Sequence, residues 1–146
     1  MSQMLHCLSR NFSKIFISFF LIGMSYQGMS QELESDSVNL NNPYQTVQTF
    51  LYFLQEDHYY PELAARTLDP TETSADRAEE LVIKLKQVLD GSGIFVDLDL
   101  LPRDPDHMDS VTNRNRYYLA GKYPDLFVSK KNDSWYFSPI SVRKID

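Results

Sequence analysis

Leu85–Asp106 reads LKQVLDGSGIFVDLDLLPRDPD, and three kinds of signal meet in it. Leu85 and Leu89 close an apolar stripe of helical spacing. Asp90-Gly91 is a helix stop, with the glycine expected at the C′ position. From Ile94 to Leu100 the period changes to two: Ile94, Val96, Leu98 and Leu100 on one side, Phe95, Asp97 and Asp99 on the other, as in a strand. Pro102 and Pro105 end that run. A helix stop followed directly by strand alternation divides the chain into helices before and strands after, which is an α+β order.

Working back from this point, Ala78, Leu81, Val82, Leu85 and Leu89 form one stripe and predict a helix over Ala75–Leu89, with Thr73 or Ser74 as its cap. Asp69-Pro70 stops a shorter helix over Pro61–Leu68 that turns Leu63, Ala64 and Leu68 inward. Asn42-Pro43 opens the first helix, because Asn caps well and Pro is tolerated at the first helical position. Its stripe is Tyr44, Val47, Phe50, Leu51 and Leu54, and its end is expected near Glu56-Asp57. Glu32–Asn42 has no apolar period and is expected to be a flexible polar spacer.

Working forward, Arg116–Leu119 is a second strand. Leu126–Ser129 and Ser134–Ser138 form a hairpin across Lys130-Lys131-Asn132-Asp133, with Trp135 and Phe137 on its inner face. Ser138-Pro139 breaks it. The predicted domain, 42–146, therefore holds three N-terminal helices followed by a small antiparallel sheet of about three to four strands.

Residues 1–30 have a different character. Arg10 and Lys14 precede a ten-residue apolar run, Ile15–Met24, and Gly28-Met29-Ser30 follows. This is the order of a secretory signal peptide cleaved after Ser30, and the run is short of the roughly 20 residues that a spanning helix needs. The polar spacer then occupies 31–41. The sole cysteine, Cys7, lies ahead of the apolar run, so it is not placed for lipoprotein acylation and the exported chain would carry no thiol. Without residues 1–30 the chain has 12 basic and 20 acidic residues, a net charge of −8. That balance repels phosphate backbones and anionic lipid, which argues against a nucleic-acid partner. Nine Tyr and nine Phe point to a compact core or an adhesive face.

The sharpest polar cluster is Asp97, Asp99, Asp104, Asp106 and Asp109. Counted from Asp97 as a calcium loop, the sixth position is Pro102 and the twelfth is Met108, where glycine and glutamate are required. Asp97-Leu98-Asp99 shares the Asp-x-Asp pattern of metal-dependent sugar-nucleotide transferases, which need a far larger sheet. The prevailing reading is a solvated strand face, and a small metal-dependent enzyme using Asp97 and Asp99 is the lesser one. His58 and His107 stand 49 residues apart with no zinc spacing. Gly91-Ser92-Gly93 is a helix-ending turn and not a nucleophile elbow. Tyr44, Phe50, Tyr52, Phe53, Tyr59 and Tyr60 would pack as core or line a cleft. Arg103, Arg114 and Arg116 are expected to neutralise the acidic loop. No catalytic, metal-ligating or cofactor-binding residue stands out, and nothing here calls for a cofactor.

Five phrases occur in a fixed order: Asn42-Pro43-Tyr44; Pro61-Glu62-Leu63-Ala64-Ala65-Arg66; Val88-Leu89-Asp90-Gly91; Val96-Asp97-Leu98-Asp99 with Pro102 and Asp104-Pro105; and Trp135-Tyr136-Phe137-Ser138. Together they resemble the N-terminal periplasmic domain of bacterial MscS-family small-conductance mechanosensitive ion channels, over about residues 42–142. The resemblance implies a non-enzymatic, exported, periplasmic domain associated with the inner membrane. Its partners would be the channel's transmembrane region or neighbouring subunits, in a homo-oligomer, with a role in assembly or gating of ion transport. The family's pore helices have no counterpart here, so the chain would be a fragment truncated at its C-terminus, and no functional residue carries over. The alternative is a free-standing periplasmic module binding a small molecule or a protein, by analogy with the nuclear-transport-factor-2-like fold.

Overall fold

The computed structural model describes residues 37–71 and 73–143. The expected signal peptide at 1–30 and the first part of the expected spacer, 31–36, lie outside the described residues. The compact unit begins at Val38, and the chain is α+β: helices α1 (Pro43–Tyr52), α2 (Pro61–Ala64) and α3 (Ala75–Gly91) precede the main antiparallel sheet. Two short strands, β1 (Leu54–Gln55) and β2 (His58–Tyr59), pair after α1. The main sheet has the order β3 (Arg116–Tyr118), β4 (Phe127–Lys131), β5 (Ser134–Phe137), and a fourth helix, α4 (Pro139–Arg143), follows it.

Helix α1 starts where expected. Asn42 Oδ1 accepts the Gln45 N–H at 2.9 Å and its Nδ2 donates to Gln45 Oε1 at 2.9 Å, with Pro43 in the first turn. Val47, Phe50 and Phe53 are fully buried. The helix ends at Tyr52, not near Glu56-Asp57: Phe53 is its C-cap and Glu56-Asp57 becomes the two-residue turn between β1 and β2. Tyr52 stacks on His58 with centroids 4.5 Å apart, which holds this small hairpin against the helix end.

Two polar residues on the buried side of α1 explain a second departure. Thr46 Oγ1 donates to the Trp135 carbonyl at 3.0 Å, and Thr49 Oγ1 donates to the Asn39 carbonyl at 3.1 Å. Trp135 N–H in turn donates to the Leu40 carbonyl at 2.7 Å, and Asp69 N–H donates to the Phe137 carbonyl at 3.3 Å. Residues 38–41, expected to be free spacer, are therefore tied between α1 and β5. The outer edge of β5, which an open sheet would leave exposed to foreign strands, is covered by the chain's own segments.

Helix α3 buries Leu81, Val82, Leu85 and Leu89, as its stripe predicts. Ser74 occupies the N-cap position without a side-chain cap. The helix runs to Gly91, and the glycine at C′ is Gly93 rather than Gly91. Gly93 has φ of 64°, its N–H bonds the Asp90 carbonyl at 3.0 Å, and Ile94 N–H bonds the Leu89 carbonyl at 2.9 Å, which is the Schellman pair. The two glycines should respond oppositely. Gly93→Ala is expected to cost about 1 kcal/mol from the left-handed backbone alone, since nothing lies within 4 Å of a Cβ there. Gly91→Ala, helical and equally uncrowded, is expected to stabilise by about 0.5–1 kcal/mol. Urea unfolding of the two variants checks both signs.

The alternating stretch is the largest correction. Ile94, Val96 and Leu98 turn inward while Phe95, Asp97 and Asp99 face water, so the burial alternates, but no ladder forms. Asp97 Oδ1 accepts the Asp99 N–H at 3.0 Å and starts a 3-10 turn over Leu98–Leu100, which leaves Leu100 exposed. Apolar-polar alternation needs only a core on one side. A strand also needs a partner edge, and here the next anchor is Tyr44 N–H, which donates to the Pro102 carbonyl at 3.1 Å and satisfies an orphan donor of α1.

In the main sheet Tyr117, Val128 and Phe137 lie side by side across β3, β4 and β5. Lys130 and Lys131 belong to β4, and only Asn132 and Asp133 form the turn. Both have positive φ, 47° and 63°, as a two-residue hairpin turn of right-handed twist requires. Trp135 and Phe137 are fully buried on the inner face, as expected, and Phe137 meets Phe50 of α1 with ring centroids 4.8 Å apart. Ser138-Pro139 ends the strand and opens α4, which the sequence analysis leaves without structure.

Candidate functional site

The acidic loop is built from side chains that stabilise their own turns. Asp104 Oδ1 accepts the Asp106 N–H at 2.9 Å, as Asp97 does for Asp99. Asp109 accepts from both the N–H (2.7 Å) and hydroxyl (2.6 Å) of Thr112, and these bonds hold its carboxyl below the usual range. Asp106 pairs with Lys130 at 2.7 Å, which raises the Lys130 pKa. Among the described residues no group of three or more His, Cys, Asp or Glu side chains is placed to hold a metal ion. The loop's deeper attachment is Trp135 Nε1, which donates to the Pro105 carbonyl at 2.9 Å. His107 sits against the same tryptophan and against Tyr117.

Arg116 bears on Asp109 of the acidic loop as expected, helping to hold that carboxyl down, but Arg103 and Arg116 also pack on aromatic rings. Arg103 stacks on Tyr44 with its guanidinium 3.6 Å from the ring centroid, and Arg116 lies 4.6 Å over Phe127 while donating to the Tyr118 hydroxyl at 3.0 Å. Lys130 forms the ion pair with Asp106 of the acidic loop. The aromatic group divides by depth: Phe50 and Phe53 are core, Tyr44 and Tyr52 are half-buried around it, and Tyr59 and Tyr60 are exposed.

Asp69 was missed as a polar centre, although Asp-Pro-Thr is a sequence signal for an Asx turn as well as for a helix stop. It is buried, and its Oδ1 accepts the Thr71 N–H (2.9 Å), the Thr71 hydroxyl (2.7 Å) and the Lys131 ammonium (3.3 Å). Burial works to raise its pKa. The Thr71 hydroxyl, the Thr71 N–H and Lys131 together outweigh burial, so the carboxyl titrates below its ordinary value. A depressed folded pKa contributes stability above the unfolded value of about 3.9, lost as pH falls through the folded one. Asp69→Asn is expected to cost about 1–3 kcal/mol at pH 7, with the gap to the parent narrowing below about pH 4. Urea unfolding at pH 7 and pH 3.5 checks this, and a pH-independent gap would contradict it.

Two surface features bear most on function. One is apolar: Phe95 is 95% exposed, Val111 89% and Leu100 71%, with Met108 also in water. All four come from the segment between α3 and β3. The Tyr117 hydroxyl donates to the Leu100 carbonyl at 3.3 Å, and Asp109 N–H donates to the Arg114 carbonyl at 2.9 Å at the base of the turn carrying Val111. The other is a groove of about 530 Å³ between the Val38–Leu40 segment, α2 and the start of α3. No helix among the described residues is long and apolar enough to cross a membrane. Comparison with protein-family models, curated proteins and solved structures finds no match to the chain.

Proposed function

We propose that the chain is an exported, non-enzymatic extramembrane domain that works by contact, packing on the membrane-embedded part or neighbouring subunits of a mechanosensitive channel of the MscS type. The observation that carries the contact reading is the set Phe95, Leu100, Met108 and Val111, apolar side chains held in water by loops that hydrogen bonds fix in place. Large apolar groups on a rigid support are what a docking face needs, because little ordering entropy is lost on association. The ordered phrases from Asn42-Pro43-Tyr44 to Trp135-Tyr136-Phe137-Ser138 support the choice of channel. The signal-peptide pattern of residues 1–30 supports export to the periplasm.

Photo-crosslinking in cells tests it. A benzophenone amino acid at position 95 or 111 should give adducts with an integral membrane protein or a second copy of this chain, whereas the same group at Gln87, exposed on α3, should not. Equal adducts at all three positions, or none at 95 and 111, would defeat the contact reading. Adducts only with soluble proteins would defeat its channel part alone.

A further inference from the structure

The groove beside α2 and α3 is independent of the apolar loops and lies elsewhere on the fold. Its walls are apolar: Val38 and Leu40 from the segment before α1, Ala65 and Leu68 after α2, and Ala75 and Ala78 from the first turns of α3. Glu62, Arg66 and Glu79 stand around it, and Tyr136 of β5 contributes to the lining. At about 530 Å³ it falls within the usual range of small-molecule sites, roughly 300–1,000 Å³.

One lining residue is out of balance. Thr73 is only 9% exposed, and its Oγ1 is buried with no hydrogen-bond partner among the described residues. A desolvated hydroxyl left unpaired costs about 1–3 kcal/mol, so native folds retain few of them. The neighbouring threonines differ: Thr67 Oγ1 donates to the Ala64 carbonyl at 2.7 Å and Thr71 Oγ1 to Asp69 at 2.7 Å. With no bond to hold its χ1, the Thr73 hydroxyl can turn between staggered positions toward a group in the groove it lines.

We propose that this groove binds a small molecule with an apolar body and a primary ammonium head, the head donating a hydrogen bond to Thr73 Oγ1. The rim decides the head. Two carboxylates and one guanidinium, on a chain of net charge −6, disfavour a bare anion. Glu62, Glu79 and Arg66 together carry a net charge of −1, so a head with a single positive charge balances the lining and can also donate to the hydroxyl oxygen. The alanines and leucines of the walls receive the apolar body.

The test is a methyl-detected NMR titration of the full chain with four probes of similar apolar size: L-leucine, hexanamide, hexanoate and hexylamine. Hexylamine should give saturable shifts confined to the methyls of Val38, Ala65, Leu68, Thr73 and Ala78. Thr73→Val keeps the side-chain shape and removes the hydroxyl. It should weaken that binding about fivefold to tenfold, the worth of one hydrogen bond, while the melting temperature holds or rises. Ala78→Phe, which fills the groove from the helix side, should abolish the shifts with the fold retained. The proposal is overturned if no probe saturates, if Thr73→Val binds as tightly as the parent, or if Ala78→Phe leaves binding unchanged. Tighter binding of L-leucine, hexanamide or hexanoate than of hexylamine would overturn the head-group class.

Discussion

Trp135→Ala is expected to remove about 3–5 kcal/mol of stability, a large share of the roughly 5–15 kcal/mol that holds a domain of this size together. Trp135 is the largest fully buried side chain, and it joins three parts of the molecule. Its ring packs in the core, its Nε1 fixes the proline-broken loop through the Pro105 carbonyl, and its backbone carries both the Leu40 and the Thr46 bonds. Truncation leaves a cavity and also an unpaired Pro105 carbonyl, so the 104–114 loop should loosen along with the core. Trp135→Phe separates the two effects. It keeps most of the volume, loses the Nε1 bond, and should cost about 1–2 kcal/mol, mostly at the loop. Circular dichroism in urea gives the free energies, and hydrogen exchange at Asp106, Thr112 and Asn115 reports the loop. A loss below about 1.5 kcal/mol for the alanine variant would mean that the sheet and helices are held by something other than this residue.

The second large effect is expected at Phe50. Phe50→Ala should cost about 3–5 kcal/mol by the same cavity argument, since the ring is fully buried where α1 crosses β5. Phe50→Leu keeps the apolar volume but loses the tilted ring contact with Phe137, and should cost about 1–2 kcal/mol. A double-mutant cycle with Phe137→Leu isolates that contact, and a coupling of about 0.5–1.5 kcal/mol is expected. A coupling near zero would show that the two rings contribute only through the area they bury.

The helices were legible because each carries both a period and a boundary signal within a few residues. The stripe of α3 and the Asn42-Pro43 opening of α1 are local facts, and the structure keeps both. Where the sequence misled, a local signal was sufficient for two outcomes. Ile94–Leu100 alternates because one side faces the core, and alternation of that kind does not require a ladder. Glu56-Asp57 is as good a hairpin turn as a helix end. Gly91 and Gly93 are both able to cap, and the choice depends on where Ile94 finds the Leu89 carbonyl and an apolar seat. The acidic cluster misled for a related reason: five aspartates within thirteen residues resemble a site, yet four of them serve turns or Lys130.

The groove was not legible at all. Its walls come from residues 38–40, 62–79 and 136, and no short window holds more than part of it. Thr73 looks in sequence like any candidate cap. Its unpaired hydroxyl is a property of its surroundings.

What the sequence by itself determined is the α+β order, the inner face of β5 and the polar balance of the surface, because periodicity, turn residues and net charge act over a few neighbours or over none. Tertiary structure alone decided whether Leu85–Asp106 would become a strand. That outcome turns on the partner offered to its backbone, and the partners are the N-terminus of α1, at Tyr44, and the indole of Trp135. They lie 41 or more residues behind it and 29 ahead of it, at distances where only the folded chain brings them together.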